Sequence, residues 1–169
     1  MRQIVLVAHD IRSCYNVGSL LRTAEGLGVH EVILTGYTPY PRQDNDPRLP
    51  HIALKLDRQI AKTALGAELT QRWSQSDDIE DSLRSLRDQK FIIIGLEQAA
   101  QSVALPTFQP PDKVALLLGN EVTGLDSALL AACDRVIEIP MFGYKESFNV
   151  IQATAMALYH CRFSPFEKA

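Results

Sequence analysis

The chain predicts an α/β fold, a mostly parallel sheet flanked by helices. Short apolar, β-branched runs recur along it: Ile4–Ala8, Glu31–Thr35, Phe91–Leu96, Val114–Leu118 and Val136–Ile139. Segments with apolar residues at helical spacing lie between most of them. Strands that alternate with helices build parallel sheets, because a parallel neighbour can be reached only through a long crossover. Two of the apolar runs, moreover, open into polar loops bearing glycine, Gly119 to Gly124 and Met141 to Asn149. In open α/β sheets ligands bind just beyond such strand ends, so the two loops suggest one composite pocket.

Each element follows from its residues. Ile4–Ala8 is short, apolar and β-branched, a buried strand. Val17, Leu20, Leu21, Ala24 and Leu27 mark a helix closing at Gly26 and Gly28. Glu31–Thr35 is the next strand. Gly36 to Pro50 holds four prolines and two tyrosines, a loop long enough to suggest function. Asp57 to Leu69 reads as helical, and Asp77 to Asp88 as a surface helix with Ile79, Leu83 and Leu86 at i, i+4 and i+7. After the strand Phe91–Leu96, Val103–Asp112 is a proline-bearing connector. Val114–Leu118 is a strand, Asp126–Ala132 a helix, Val136–Ile139 the last strand and Ser147–Cys161 the last helix. That final helix is apolar nearly all round, from Phe148 and Val150 to Leu158 and Tyr159. A helix with no wet face must be covered on several sides, and a second copy of the chain is the natural cover.

A chain of 169 residues is most simply one domain, 1–169, with a substantial core. Hydrophobic residues make up 46% and charged residues 22%, ordinary for a globular protein. No apolar run approaches the roughly 20 residues that span a membrane, and the N-terminal run is too short for a signal peptide. Cytoplasm is the default. Cys14, Cys133 and Cys161 show neither a disulfide framework nor zinc spacing, and His9, His30, His51 and His160 show no metal-ligand spacing, so no metal is expected. The net charge of −3 argues against a dedicated polybasic nucleic-acid arm. It is unevenly spread: residues 1–72 carry nine Lys/Arg against seven Asp/Glu, residues 73–169 eight against thirteen. Arg12, Arg22, Arg42, Arg48, Lys55, Arg58 and Lys62 cluster around polar loops and form either a local phosphate-binding face or a solvated surface.

The glycine loops exclude two familiar chemistries. Gly119-Asn120-Glu121-Val122-Thr123-Gly124 has the glycine spacing of a phosphate-binding loop, but Leu125-Asp126 stand where that loop needs Lys and Ser/Thr. Gly26-Leu27-Gly28 follows a helix rather than a strand and lacks a third glycine, so it is not a dinucleotide fingerprint. Taken singly, Asn16, Ser147 and Asn149 are helix starts and Glu121 a loop carboxylate. Arg22 with Glu25 is a surface ion pair.

Taken together they form a set: Asn16-x-Gly18-x-x-x-Arg22-Thr23-Ala24, then Leu118-Gly119-Asn120-Glu121-x-x-Gly124-Leu125, then Ile139-Pro140-Met141 with Glu146-Ser147-Phe148-Asn149-Val150. Order and spacing resemble the three motifs of the SpoU (TrmH-like) branch of the SPOUT RNA 2′-O-ribose methyltransferases, from about Ile4 to Tyr159. Phe148 stands where that family usually has Leu, and Asn120 where it often has Ser or Pro.

The resemblance implies a deep trefoil knot near the second and third motifs, a homodimer through the last helix, and S-adenosylmethionine as cofactor. The matching cofactor positions are Leu96, Gly119, Asn120, Ile139, Met141, Ser147 and Phe148. It also implies an RNA partner, tRNA or rRNA, and a catalytic set of Arg22, Asn16, Glu121, Ser147 and Asn149. The donor leaves as a neutral group, so the hard step is making a ribose hydroxyl nucleophilic. A guanidinium is a poor base at neutral pH, which favours Arg22 as phosphate anchor and oxyanion stabiliser. With no separate RNA-binding domain expected, Arg12, Arg22, Arg42, Arg48 and Lys145 are the candidates for RNA contact, with Tyr37 and Tyr40 for stacking. Two alternatives stay open: a non-catalytic RNA-binding or ribosome-assembly protein of the same fold, and a metabolic enzyme using a nucleotide.

Overall fold

A computed structural model describes residues 1–165; the last four residues of the expected domain lie outside the described residues. Among the described residues, seven parallel strands form one sheet: β1 (Gln3–His9), β2 (Glu31–Thr35), β3 (Trp73–Ser76), β4 (Ile92–Leu96), β5 (Val103–Ala104), β6 (Lys113–Leu118) and β7 (Arg135–Glu138), in the order β3-β2-β1-β6-β4-β7-β5. The helices are α1 (Cys14–Gly26), α2 (Pro50–Ala64), α3 (Ala67–Thr70), α4 (Ile79–Asp88), α5 (Ser127–Ala132) and α6 (Val150–Phe163).

Alternation along β1 explains the layers. Ile4, Leu6 and Ala8 point to one face, where they join α1, α2 and α6 through Leu20, Leu21, Ile60, Leu158 and Cys161. Val5 and Val7 point to the other, against Leu83 and Leu86 of α4 and Leu129 of α5. Both faces are covered, which is why the strands read as continuous apolar runs rather than as alternating ones.

Most expected elements are present, with shifted ends. α2 begins at Pro50, seven residues before the expected helix, because proline suits the first helical turn, where its missing N–H costs nothing. β3 was not expected: Trp73–Ser76 is a polar edge strand whose pattern carries no apolar run. Val103–Asp112, read as a connector, contains the two-residue strand β5 and a 3-10 turn, Leu105–Thr107. α6 starts at Val150 rather than Ser147, with the Asn149 side chain accepting from the Ile151 N–H.

Two arginines tie the end of α6 to the start of the chain. Arg2 is buried and donates to the carbonyls of Pro110, Cys161, Ser164 and Pro165. Arg162 donates to the carbonyls of Leu27, Gly28 and Arg2 itself. At the other end of α1, Gly18 lets α2 come close: a Cβ there would run into the Ile60 carbonyl oxygen and the Thr63 hydroxyl. Thr63 in turn donates to the Tyr15 carbonyl at 2.8 Å. Gly18→Ala is therefore expected to cost about 1–3 kcal/mol by overpacking, read as a lower urea midpoint with unchanged slope. An unchanged midpoint would mean that the two helices part without cost.

Candidate active site

All strands being parallel, their C-terminal ends gather on one edge, and the loops leaving β1, β2, β4, β6 and β7 meet there. Glu121, just beyond β6, reaches the turn after β1. Its Oε2 accepts the Arg12 N–H at 2.8 Å, and its Oε1 accepts the Ser13 N–H at 3.1 Å and the Asn16 amide at 2.9 Å. Ser13 caps α1 through the Asn16 N–H, so the same turn sets the direction of the helix. Partial burial pushes the Glu121 carboxyl up, but those hydrogen bonds together outweigh it and hold its pKa below the ordinary value.

Asn120 is spent inside the site. Its amide donates to the Asp10 carbonyl at 2.9 Å and to the Tyr37 hydroxyl at 2.7 Å, while its oxygen accepts from Val122 and Thr123. Gly124, at φ +66°, closes the loop by an antiparallel bridge to Asn120, and a Cβ there would collide with the Glu97 carboxylate. A Cβ on Gly119 would collide with the Gly124 backbone. The glycines thus admit the loop's own backbone and Glu97, rather than a phosphate. Glu97 then fastens the loop to β4, accepting the Leu125 N–H at 3.0 Å.

Beside this clasp lies a cleft walled by Leu96, Gly119, Ile139, Phe148, Val150 and Ala153, with Glu97, Gln98, Glu138 and Ser147 as its polar lining. Six of the seven expected cofactor positions line it: Leu96, Gly119, Asn120, Ile139, Ser147 and Phe148. Met141 does not; the chain turns outward after Pro140, and Phe142 and Tyr144 are fully exposed. Glu97, Gln98 and Glu138 escaped the sequence reading because no motif surrounds them. Their position at the ends of β4 and β7 was the available signal.

The expected catalytic residues are not all brought together. Asn16 and Glu121 are in contact. Ser147 is exposed at the cleft, and Asn149 caps α6. Arg22 lies nearly two turns beyond Asn16, exposed, and its side chain makes no hydrogen bond or ion pair with the described residues, so neither Glu25 nor Glu121 braces it. Of the expected RNA-contacting cations, Arg12, Arg42 and Lys145 are exposed. Arg48 is not available. It pairs with Asp46, donates to the carbonyls of Tyr40 and Pro41, and sits 3.6 Å above the Tyr40 ring. Its guanidinium holds the Asp46 carboxyl far below the usual range. His9 is held by Thr35 Oγ1 at 2.9 Å and lies 3.4 Å from the Asp10 carboxylate. Among the described residues no cluster has a metal-binding set of ligands, and no helix is long and apolar enough to cross a membrane.

Residues 3–159 match the model of the SpoU rRNA Methylase family. The chain belongs to that family. It is 31% identical over 159 residues to the 23S rRNA (guanosine-2'-O-)-methyltransferase RlmB of Neisseria meningitidis, covering 94% of this chain and 58% of that protein. It is 27% identical over 158 residues to the tRNA (guanosine(18)-2'-O)-methyltransferase of Saccharomyces cerevisiae, covering 93% of this chain and 10% of that one. The chain thus spans little more than half of the first relative and a small part of the second. The AdoMet-bound rRNA methyltransferase of Sinorhizobium meliloti superposes with a TM-score of 0.76 at 25% identity, over 95% of this chain and 56% of that one. The TrmH/SpoU tRNA modifying enzyme of A. aeolicus shares the fold, with a TM-score of 0.77 at 20% identity over 96% of this chain and 75% of that one.

The Glu121 clasp makes a pH-dependent prediction. Its pKa is lower folded than unfolded, so its contribution is complete above the ordinary glutamate range and is lost as pH falls through the lowered value. Glu121→Gln, which turns an N–H donor toward N–H donors, should cost about 1 kcal/mol near pH 7, at the low end because the carboxyl is partly solvated. In urea titrations at pH 7 and at an acidic pH below the ordinary glutamate range, the gap between the two proteins should be narrower at the lower pH. A gap equally wide at both pH values would show that the charge is irrelevant.

Proposed function

We propose that this family member is an S-adenosylmethionine-dependent RNA 2′-O-methyltransferase acting on tRNA or rRNA. The observation that carries the reading is the join between the β1–α1 turn and the loop after β6. It sets the Asn16–Glu121 contact beside a cleft with apolar walls and an acidic lining.

The cleft fits the cofactor by its chemistry. Leu96, Ile139 and Phe148 offer apolar surface for an adenine, and Glu97 and Glu138 offer negative charge for a sulfonium or ammonium. Bound there, S-adenosylmethionine supplies a methyl group activated by a cationic sulfur. The chain's own residues must then bring a ribose hydroxyl to it and manage the hydroxyl's charge. Arg22 has five donors and no partner among the described residues, which leaves them to grip a phosphate and to stabilise the developing oxyanion. Asn16, its amide fixed by Glu121, keeps its carbonyl oxygen for the ribose. Ser147 lies at the cleft for the hydroxyl itself. Glu121 and Asn149 act by holding the turn and the start of α6, which makes both of them positioning residues. Arg12, Arg42 and Lys145 supply the long-range attraction for RNA.

The same reading includes a homodimer and a knot. Met156, Tyr159 and Phe163 are exposed on α6 beside Leu105 and Pro106, with the Tyr159 and Phe163 rings 4.6 Å apart. A second copy of α6 would cover this surface. The chain lays β7 on the far side of β4 from β6, and α6 then returns to pack on β4 and β6, an order compatible with the knot of this reading.

The deciding experiment is labelled methyl transfer to separated tRNA and rRNA, followed by nucleoside mass spectrometry. A 2′-O-methylated nucleoside is expected in one pool. Arg22→Lys should lower turnover by at least about tenfold with cofactor affinity unchanged, since a point charge cannot replace the guanidinium fork. No transfer to either pool, with Arg22→Ala indistinguishable from the parent protein, would instead favour a non-catalytic RNA-binding role. Tyr159→Glu is expected to give monomers in sedimentation velocity at concentrations where the parent protein is dimeric. Identical sedimentation of the two would remove α6 from the interface.

A further inference from the structure

We infer that Tyr37 is the nucleobase platform of this site: its ring stacks on an unpaired base of the RNA, next to the ribose being methylated. The inference rests on the RNA reading above and adds a residue to it. Two tyrosines stand in the segment after β2, and the structure separates them. Tyr40 is half-buried, packed against Trp73 and covered by the Arg48 guanidinium, so no base can reach that face of its ring. Tyr37 leaves 60% of its surface in solvent, yet it is held at both ends. Its backbone N–H donates to Asp10 Oδ1 at 3.1 Å, and its hydroxyl oxygen accepts from the Asn120 amide at 2.7 Å.

The turn that presents the ring is equally fixed. Asp10 is left-handed at φ 56° and Gly36 at φ 63°, and a Cβ on Gly36 would strike the Asp10 carboxylate. An exposed aromatic ring gains little for the fold by being pinned in place. Pinning does remove the entropy that a free ring would lose on stacking, which favours a partner with a flat apolar face. An unpaired base has such a face. The position is adjacent to the chemistry by two hydrogen bonds: Asn120 holds Tyr37, and its neighbour Glu121 holds Asn16. Through Asn120 the platform and the cofactor cleft share one loop.

The test compares Tyr37→Leu, which keeps bulk but loses the π-face, with Tyr37→Phe, which keeps the ring but loses the Asn120 bond. The measurements are equilibrium binding of bulk tRNA and of rRNA fragments, cofactor affinity by calorimetry, and methyl transfer. Tyr37→Leu is expected to weaken RNA binding about 5- to 100-fold and to raise KM for RNA in step, with cofactor affinity unchanged. Tyr37→Phe should restore most of that loss. Parent-like RNA binding by Tyr37→Leu, or a loss as large in Tyr37→Phe, would overturn stacking. Absence of methyl transfer by the parent protein counts against the enzymatic reading alone, because the binding comparison stands without turnover. Absence of RNA binding by the parent protein overturns both.

Discussion

One carboxylate joins the two halves of the site. A parallel sheet delivers its strand ends to a common edge, but the loops that leave those ends share no ladder and must be fastened sideways. Glu121 does this by accepting from Arg12, Ser13 and Asn16, more than a hundred residues earlier in the chain. Asn120 repeats the join one position before, to Asp10 and Tyr37, and Glu97 anchors the far side of the loop to β4. Without these contacts the cleft floor and the α1 turn would be two independent loops.

The same economy explains which polar groups remain for chemistry. Asn120 and Arg48 have their hydrogen-bonding capacity largely filled within the fold, and Asn149 spends its side-chain oxygen on capping α6. Arg22, Ser147 and the cations Arg12, Arg42 and Lys145 are left facing solvent. A side chain already engaged positions others, and one left over can meet a substrate. That distinction reduces the motif residues to a smaller group that can touch RNA and a larger group that shapes the surface.

Much of this was legible in the sequence. The buried strands could be read because strands covered on both faces have only one composition, and their order with helices led to a parallel sheet. The Gly119 and Ser147 loops could be placed at strand ends for the same reason. Side-chain partners could not be read. Arg48 looks like any basic loop residue until Asp46 and the Tyr40 ring are seen to enclose it. Glu97 and Glu138 sit in unremarkable sequence and matter only because β4 and β7 are neighbours, a pairing that strand order in the chain conceals. β3 escaped because an edge strand needs no apolar run. Arg22 and Asn16 share a motif, yet a helix sends them in different directions.

The arginine ties at the end of α6 have a consequence for how the molecule assembles. β1 pairs with β6, so the middle of the sheet joins residues about as far apart as Gln3 and Lys113, a contact of high sequence separation that slows folding. Arg2 and Arg162 add a still longer closure, from the second residue to the last turn of α6. Val150 and Ala153, which wall the cleft, belong to that helix. The binding cleft is therefore completed only in the step that brings the two ends of the described chain together. A ligand seated there would resist their separation, coupling occupancy of the cleft to the kinetic lifetime of the whole fold.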